Sequence, residues 1–181
     1  MKNEKRNSFE LLRKSVNEIK TEPKNNISIV LDNVRSAQNV GSFFRTCDAF
    51  NVDKIYLCGI TATPPNKEIF KTALGSTESV DWQYFETTIE CIEFLKLNKF
   101  RVYGVEQTIK SIMLNNVEFD FDKINCFVFG NEVEGISAEV INLVDSCIEI
   151  PQFGTKHSLN VSVSGGIVLW DFISKMITQK I

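Results

Sequence analysis

The amino-acid sequence predicts an α/β domain with a mostly parallel sheet flanked by helices. Short apolar runs that read as buried strands alternate almost throughout with segments of helical period, the pattern of a parallel sheet covered by its crossover helices. The length of 181 residues, with 43% hydrophobic and 24% charged residues, suits one compact domain with a proper core.

Each element follows from local signals. Asn7 with Glu10 three residues later resembles a capping box, opening a helix that carries Phe9, Leu12, Val16 and Ile19 on one face as a docking stripe. The segment 21–26, with Pro23, ends that arm, and residues 27–31 read as a buried strand. A helix is predicted over 39–50, with Asn39 as its N-cap, and a strand over 54–58. Pro64-Pro65 marks a loop, and a short helix over 67–74 is closed by Gly75. Strands are expected at 80–85, 100–105, 125–129 and 147–150. Thr87 with Glu90 caps a helix to about residue 98, Ser137 opens another to 144, and a last helix covers 159–175.

Charge and cysteine usage narrow the function. The formal net charge of -3 does not advertise a nucleic-acid partner, yet residues 1–24 hold seven Lys/Arg against four Glu. Residues 112–150 hold only Lys123 against eight Asp/Glu. Such a basic arm suits phosphates, although charge runs commonly form solvated faces. The five cysteines (Cys47, Cys58, Cys91, Cys126, Cys147) are scattered in apolar stretches and read as small hydrophobes. With the single His157 they form no metal cluster, so no metal is expected. No apolar run approaches the roughly 20 residues of a membrane helix, and the start lacks a signal-peptide core; a cytoplasmic protein without a membrane partner is expected.

In parallel sheets ligands collect at the carboxyl ends of strands, here the loops after Leu31, Val105, Phe129 and Ile150. Asn39, Gly41 and Arg45 stand at one strand–helix junction, where a guanidinium among apolar residues calls for an anionic partner. Gly130, Glu132 and Gly135 follow another strand, placing a carboxylate beside a glycine that a ligand can approach; no Lys-Ser/Thr follows, so a Walker loop is excluded. Ile150, Pro151, Gly154 and residues 158–163 lead into an apolar helix. Its Ser162, Ser164, Gly165 and Gly166 imply another backbone packed very close. Lys67 and Lys71, one helical turn apart, could grip a phosphate or simply face solvent. His157 sits in a polar loop, and no nucleophile–His–acid set can be argued around it.

Together the first three motifs resemble the signatures of the SpoU or TrmH family, within the SPOUT superfamily of RNA methyltransferases. Its Asn-x-Gly-x-x-x-Arg, Gly-x-Glu-x-x-Gly and Ile-Pro-x-x-Gly…Ser-Leu-Asn-Val-Ser-Val patterns are all matched in order across about residues 28–175. The resemblance implies a SPOUT-type fold with a deep trefoil knot near the C-terminus, over residues 26–181, preceded by a basic helical arm over 1–25. It implies S-adenosyl-L-methionine as cofactor, without a metal, held by Gly130, Ile150 and Leu159, with the loop around Glu106-Gln107 as the other wall. The reaction implied is methyl transfer to a ribose 2′-hydroxyl of tRNA or rRNA, tRNA slightly favoured.

In that reading Arg45 meets the 2′-oxygen and a phosphate, while Asn39, Glu132, Ser158 and Asn160 orient Arg45, ribose and cofactor. Arg35, Lys67, Lys71, Arg13 and Lys14 are candidate RNA contacts. A homodimer is implied, with Leu169, Trp170, Phe172 and Ile173 placed either at its interface or in the monomer core. The alternatives are a non-catalytic RNA-binding module that keeps the fold and a doubly wound nucleotide-binding enzyme.

Overall fold

The computed structural model describes residues 4, 5 and 14–179. The strands are β1 (Asn25–Asp32), β2 (Val52–Cys58), β3 (Asp81–Phe85), β4 (Arg101–Val105), β5 (Ile112–Met113), β6 (Asn125–Phe129) and β7 (Ser146–Glu149). The helices are α1 (Val16–Thr21), α2 (Ala37–Ala49), α3 (Lys67–Ala73), α4 (Thr88–Leu97), α5 (Ala138–Leu143) and α6 (Val161–Gln179). The seven strands form one sheet in the order β3-β2-β1-β6-β4-β7-β5, and every neighbouring pair is parallel. Strand β6 enters between β1 and β4, and β7 between β4 and β5. These late insertions are compatible with the threaded C-terminus that the sequence resemblance implies.

Burial on both faces explains the continuous apolar runs of the central strands. Ile29 and Leu31 of β1, Ile55 and Leu57 of β2, and Phe127 and Phe129 of β6 pack under α2, α3 and α6. Val30, Tyr56, Cys126 and Val128, which alternate with them, pack against α4 and α5. Phe172 fastens α6 to the sheet: its ring centroid lies 5.0 Å from those of Phe119 and Phe121 and 5.8 Å from that of Phe127. Burying such a side chain is worth about 1.5–3 kcal/mol, and each ring pair adds about 0.5–1.5 kcal/mol.

Several expectations change in three dimensions. Asn7, Phe9, Glu10, Leu12 and Arg13 lie outside the described residues. Among the described residues Ser15 and Glu18 form a capping box at the start of α1, a helix that buries no residue. The cap of α2 is Ser36, whose hydroxyl accepts the Asn39 N–H; Asn39 is therefore already inside the helix, with its amide free for other work. Strand β5 and the short 3-10 turn Leu114–Asn116 have no counterpart in the sequence reading, being too short to show a period.

Helix α6 begins at Val161, two residues after the predicted start. At 19 residues it is long and apolar enough, by length and composition, to cross a membrane, contrary to expectation. Its Val168, Leu169, Phe172 and Ile173 are nevertheless buried in the core of this domain. Of the four candidate interface residues, Leu169, Phe172 and Ile173 thus belong to the monomer, and only Trp170 is exposed.

The small residues of α6 also divide. A Cβ at Gly165 would stand 2.2 Å from the Phe43 ring, so close packing there is against a side chain and not a backbone, while Gly166 faces open space. All five cysteines are free and buried, and burial pushes the thiols of Cys47 and Cys126 well up, leaving them protonated packing groups.

Candidate active site

A cleft of about 490 Å³ opens at the carboxyl ends of β4, β6 and β7, where the chain leaves the sheet and backbone groups are unpaired. Residues 105–107, 129–135, 148–150 and 157–161 line it, with Gln152 and Ser164. It brings together Gly130, Glu132, Ile150, Ser158, Leu159 and Asn160, all six singled out by the sequence motifs. The loop after β1 does not line it, but supports it from behind.

That support runs through Glu132. Its Oε2 accepts the Arg35 N–H at 2.9 Å, and its Oε1 accepts the Ser36 N–H at 3.0 Å and the Asn39 side-chain amide at 2.9 Å. Asn39 Oδ1 in turn accepts the Asn160 amide at 3.1 Å and the Ser162 hydroxyl at 3.4 Å. Asn160 Oδ1 takes the Ser162 N–H at 2.9 Å and so also starts α6. One residue from each of the three sequence motifs therefore meets in a single hydrogen-bonded chain. Partial burial alone would raise the Glu132 carboxyl, but the donors from Arg35, Asn39 and Ser36 outweigh it and hold the group below the usual carboxylate range. With both oxygens engaged, Glu132 orients its neighbours and is a poor proton acceptor.

The glycines shape the walls. A Cβ on Gly130 would sit 2.2 Å from the Gly135 carbonyl carbon and 2.3 Å from Ile136 N, so this glycine admits the loop's own backbone. That differs from the expected approach of a ligand to an open glycine. Asn131, to which the sequence reading gave no role, ties the loop: its backbone pairs with Gly135, its Oδ1 accepts the Val133 N–H at 2.8 Å, and its amide donates to Asn33 O at 2.9 Å. Asparagine's habit of closing turns through its side chain was the available signal. A Cβ on Gly41 would stand 2.3 Å from Ile69 O, so the motif-one glycine serves the packing of α2 on α3.

The basic candidates lie elsewhere. Arg45 is exposed and does not line the cleft. Six residues beyond Asn39, it stands about 9 Å further along the α2 axis. No ion pair involves it among the described residues, which leaves the ligand-phosphate alternative for the expected anionic partner. Arg35 and Lys67 are likewise exposed, whereas Lys71 pairs with Glu68 at 2.5 Å and Lys14 pairs with Glu22. Exposed pairs of this kind are weak and leave both lysines available to a polyanion. His157 lines the cleft, and its carbonyl accepts the Gln107 amide at 3.1 Å, which joins the two walls.

The lining residues include four carboxylates (Glu106, Glu132, Glu134, Glu149) and no lysine or arginine. Such a cleft suits a ligand that carries positive charge and repels phosphate.

Comparison with known proteins agrees with this geometry. Residues 26–170 match the model of the SpoU rRNA Methylase family. A tRNA (guanosine(18)-2'-O)-methyltransferase from Thermus thermophilus is 30% identical over 166 residues, covering 92% of this chain and 84% of that one. One from Aquifex aeolicus is 31% identical over 160 residues, covering 87% and 74%. Among solved structures, an A. aeolicus TrmH/SpoU tRNA modifying enzyme superposes with a TM-score of 0.80 at 26% identity, covering 91% of this chain and 82% of that one. The fold is shared with AviRb from Streptomyces viridochromogenes in complex with AdoMet, at a TM-score of 0.76 and 20% identity, covering 87% and 61%.

Proposed function

The chain belongs to the SpoU rRNA methylase family and is an RNA methyltransferase; from that premise we propose that it moves a methyl group from S-adenosylmethionine to a ribose 2′-hydroxyl of structured RNA, with tRNA favoured. The observation that carries the reading is the chain of hydrogen bonds from Glu132 through Asn39 to Asn160 at the mouth of the cleft. The tRNA preference rests on the two relatives at 30% and 31% identity, both named for a tRNA ribose.

The cleft fits the cofactor. Its volume lies in the usual range for small ligands, about 300–1,000 Å³, and its uncompensated carboxylates suit a sulfonium cation. In this reading Gly130, Ile150 and Leu159, which line the cleft, hold the cofactor through backbone groups. The bound cofactor supplies an already activated methyl electrophile, so the protein's task is alignment and removal of one proton. Glu132, its oxygens occupied, fixes the Asn39 amide; Asn39 and Asn160 then hold the ribose side of the cleft, with Ser158 at its rim. Arg45 takes the 2′-oxygen and the adjoining phosphate as a charged donor. Guanidinium does not give up its own proton near neutrality, so its part is electrostatic.

The acidic cleft keeps RNA phosphates outside, where Arg35, Lys67, Lys71 and Lys14 offer positive charge, with Arg13 on the arm. Two copies associate through the exposed face of α6 made by Val163, Ile167 and Trp170, which carries Arg45 towards a shared site. In this reading residues 1–25 form the RNA-contacting arm, 26–181 form the knotted catalytic domain, and the protein works in the cytoplasm.

The test is methyl incorporation from labelled cofactor into tRNA and rRNA by the wild type and by Arg45→Ala. The variant should lose activity by about 100-fold or more, a transition-state interaction of roughly 2.7 kcal/mol, while its cofactor Kd stays within twofold because Arg45 does not line the cleft. Full activity in the variant would overturn the assignment of Arg45. RNA binding without any cofactor binding by the wild type would favour the non-catalytic module.

A further inference from the structure

We infer that Glu106 is a specificity-determining residue that makes the cleft prefer the charged sulfonium cofactor over its uncharged thioether product. The inference rests on the proposed cofactor reading of the cleft. Glu106 follows β4 and lines the same cleft as Leu159. Its Oε1 accepts the Gln107 N–H at 2.8 Å and its Oε2 accepts the Ile136 N–H at 3.1 Å. Both carboxyl oxygens therefore act as acceptors towards the backbone, which fixes the direction of the side chain. Each oxygen keeps a further lone pair for a ligand.

The chain makes room for this charge. Gly135 has φ +70°, and a Cβ there would stand 2.2 Å from Glu106 Oε2. The last glycine of the Gly-x-Glu-x-x-Gly motif therefore does two things: it turns the loop through the left-handed region, and it leaves space for the carboxylate of a residue 29 positions earlier in sequence. Among the described residues no ion pair neutralises Glu106, and no lysine or arginine lines the cleft. A fixed negative charge in a concave, partly dry wall acts on a ligand more strongly than one in open solvent.

The cofactor and its product have nearly the same shape. S-adenosylmethionine carries sulfonium, ammonium and carboxylate, a net charge of one; S-adenosylhomocysteine lacks the methyl group and the sulfonium charge and is neutral overall. Shape therefore separates them little, and charge separates them by one unit. Glu106 favours the first, so the spent ligand is held less tightly than the fresh one.

The experiment is calorimetric titration of each ligand into the wild type, Glu106→Gln and Glu106→Asp. The ratio of product Kd to cofactor Kd should fall by about 3- to 10-fold in Glu106→Gln, as expected for loss of one nearby charge at intermediate dielectric. Glu106→Asp should keep most of the ratio even where both affinities drop. In the wild type the ratio should shrink as ionic strength rises from low to high, since salt screens charge and not shape; that measurement decides the matter if Glu106→Gln does not fold. Equal weakening of both ligands in Glu106→Gln would overturn the inference, leaving Glu106 as a brace for the loop, as would a wild-type ratio indifferent to salt. A wild type that binds neither ligand would overturn the cofactor reading and this inference together.

Discussion

Replacing Glu132 by glutamine is the most informative single change, because it keeps the shape and removes the charge. In the wild type three donors converge on the carboxylate: the Arg35 N–H on Oε2, and the Ser36 N–H and the Asn39 amide on Oε1. Glutamine offers one carbonyl oxygen, which can keep Ser36 and Asn39. Its NH2 group then faces the Arg35 N–H, donor against donor. One charge-assisted hydrogen bond is worth about 1.5–3 kcal/mol, and solvent access at this open position reduces the expected loss to about 1 kcal/mol.

The pH dependence follows in sign. The hydrogen bonds hold the folded-state pKa of Glu132 below its unfolded value. Its contribution is therefore fully present above the unfolded carboxylate value of about 4.3 and is lost as pH falls through the lower folded value. Urea unfolding at pH 7 and at pH 3 checks this, with equal m-values required for the comparison. The wild type should lead Glu132→Gln by about 1 kcal/mol at pH 7, roughly a fivefold change in the folding equilibrium, and the gap should close towards pH 3. A gap of the same size at both pH values, or none at pH 7, would refute the reasoning.

Three further outcomes follow from the packing. Gly130→Ala forces a Cβ to 2.2 Å from the Gly135 carbonyl carbon; a cost of about 1–3 kcal/mol should lower Tm by roughly 3–10 °C, read by thermal denaturation, with weaker cofactor binding in the same sample. Gly166→Ala meets nothing within 4 Å and should raise monomer stability by up to about 1 kcal/mol through helix propensity, measured by urea unfolding at low protein concentration. Trp170→Glu places a charge on the exposed apolar face of α6; sedimentation should show a shift towards monomer, while circular dichroism stays unchanged because the residue is outside the core.

Strand and helix identities were legible because a parallel sheet writes itself into sequence as apolar runs and helical stripes. The run at 27–31 is buried throughout in β1, and Thr87 with Glu90 caps α4 as predicted. The motifs likewise marked Asn39, Glu132 and Asn160, and these meet through hydrogen bonds although 93 and 121 positions separate Asn39 from its partners. What stayed hidden was anything decided by direction. Leu169, Trp170 and Phe172 are equally apolar on paper, yet Leu169 and Phe172 turn into the core and Trp170 turns out. Arg45 looked embedded among apolar neighbours, but helical rotation carries it to the surface.

The sequence by itself determined the α/β class, the family signatures and the motif residues Asn39, Glu132 and Asn160 that meet in one hydrogen-bonded chain, since local periodicity and residue chemistry are properties of the chain. Only the tertiary structure decided which glycine makes room for backbone, which for the Phe43 ring and which for the Glu106 carboxylate. It also decided that Glu132 spends both oxygens on neighbouring donors and that, among the described residues, no lysine or arginine lines the cleft. Those outcomes depend on close approaches between segments tens of residues apart, and spacing along a chain carries no record of a distance across a fold.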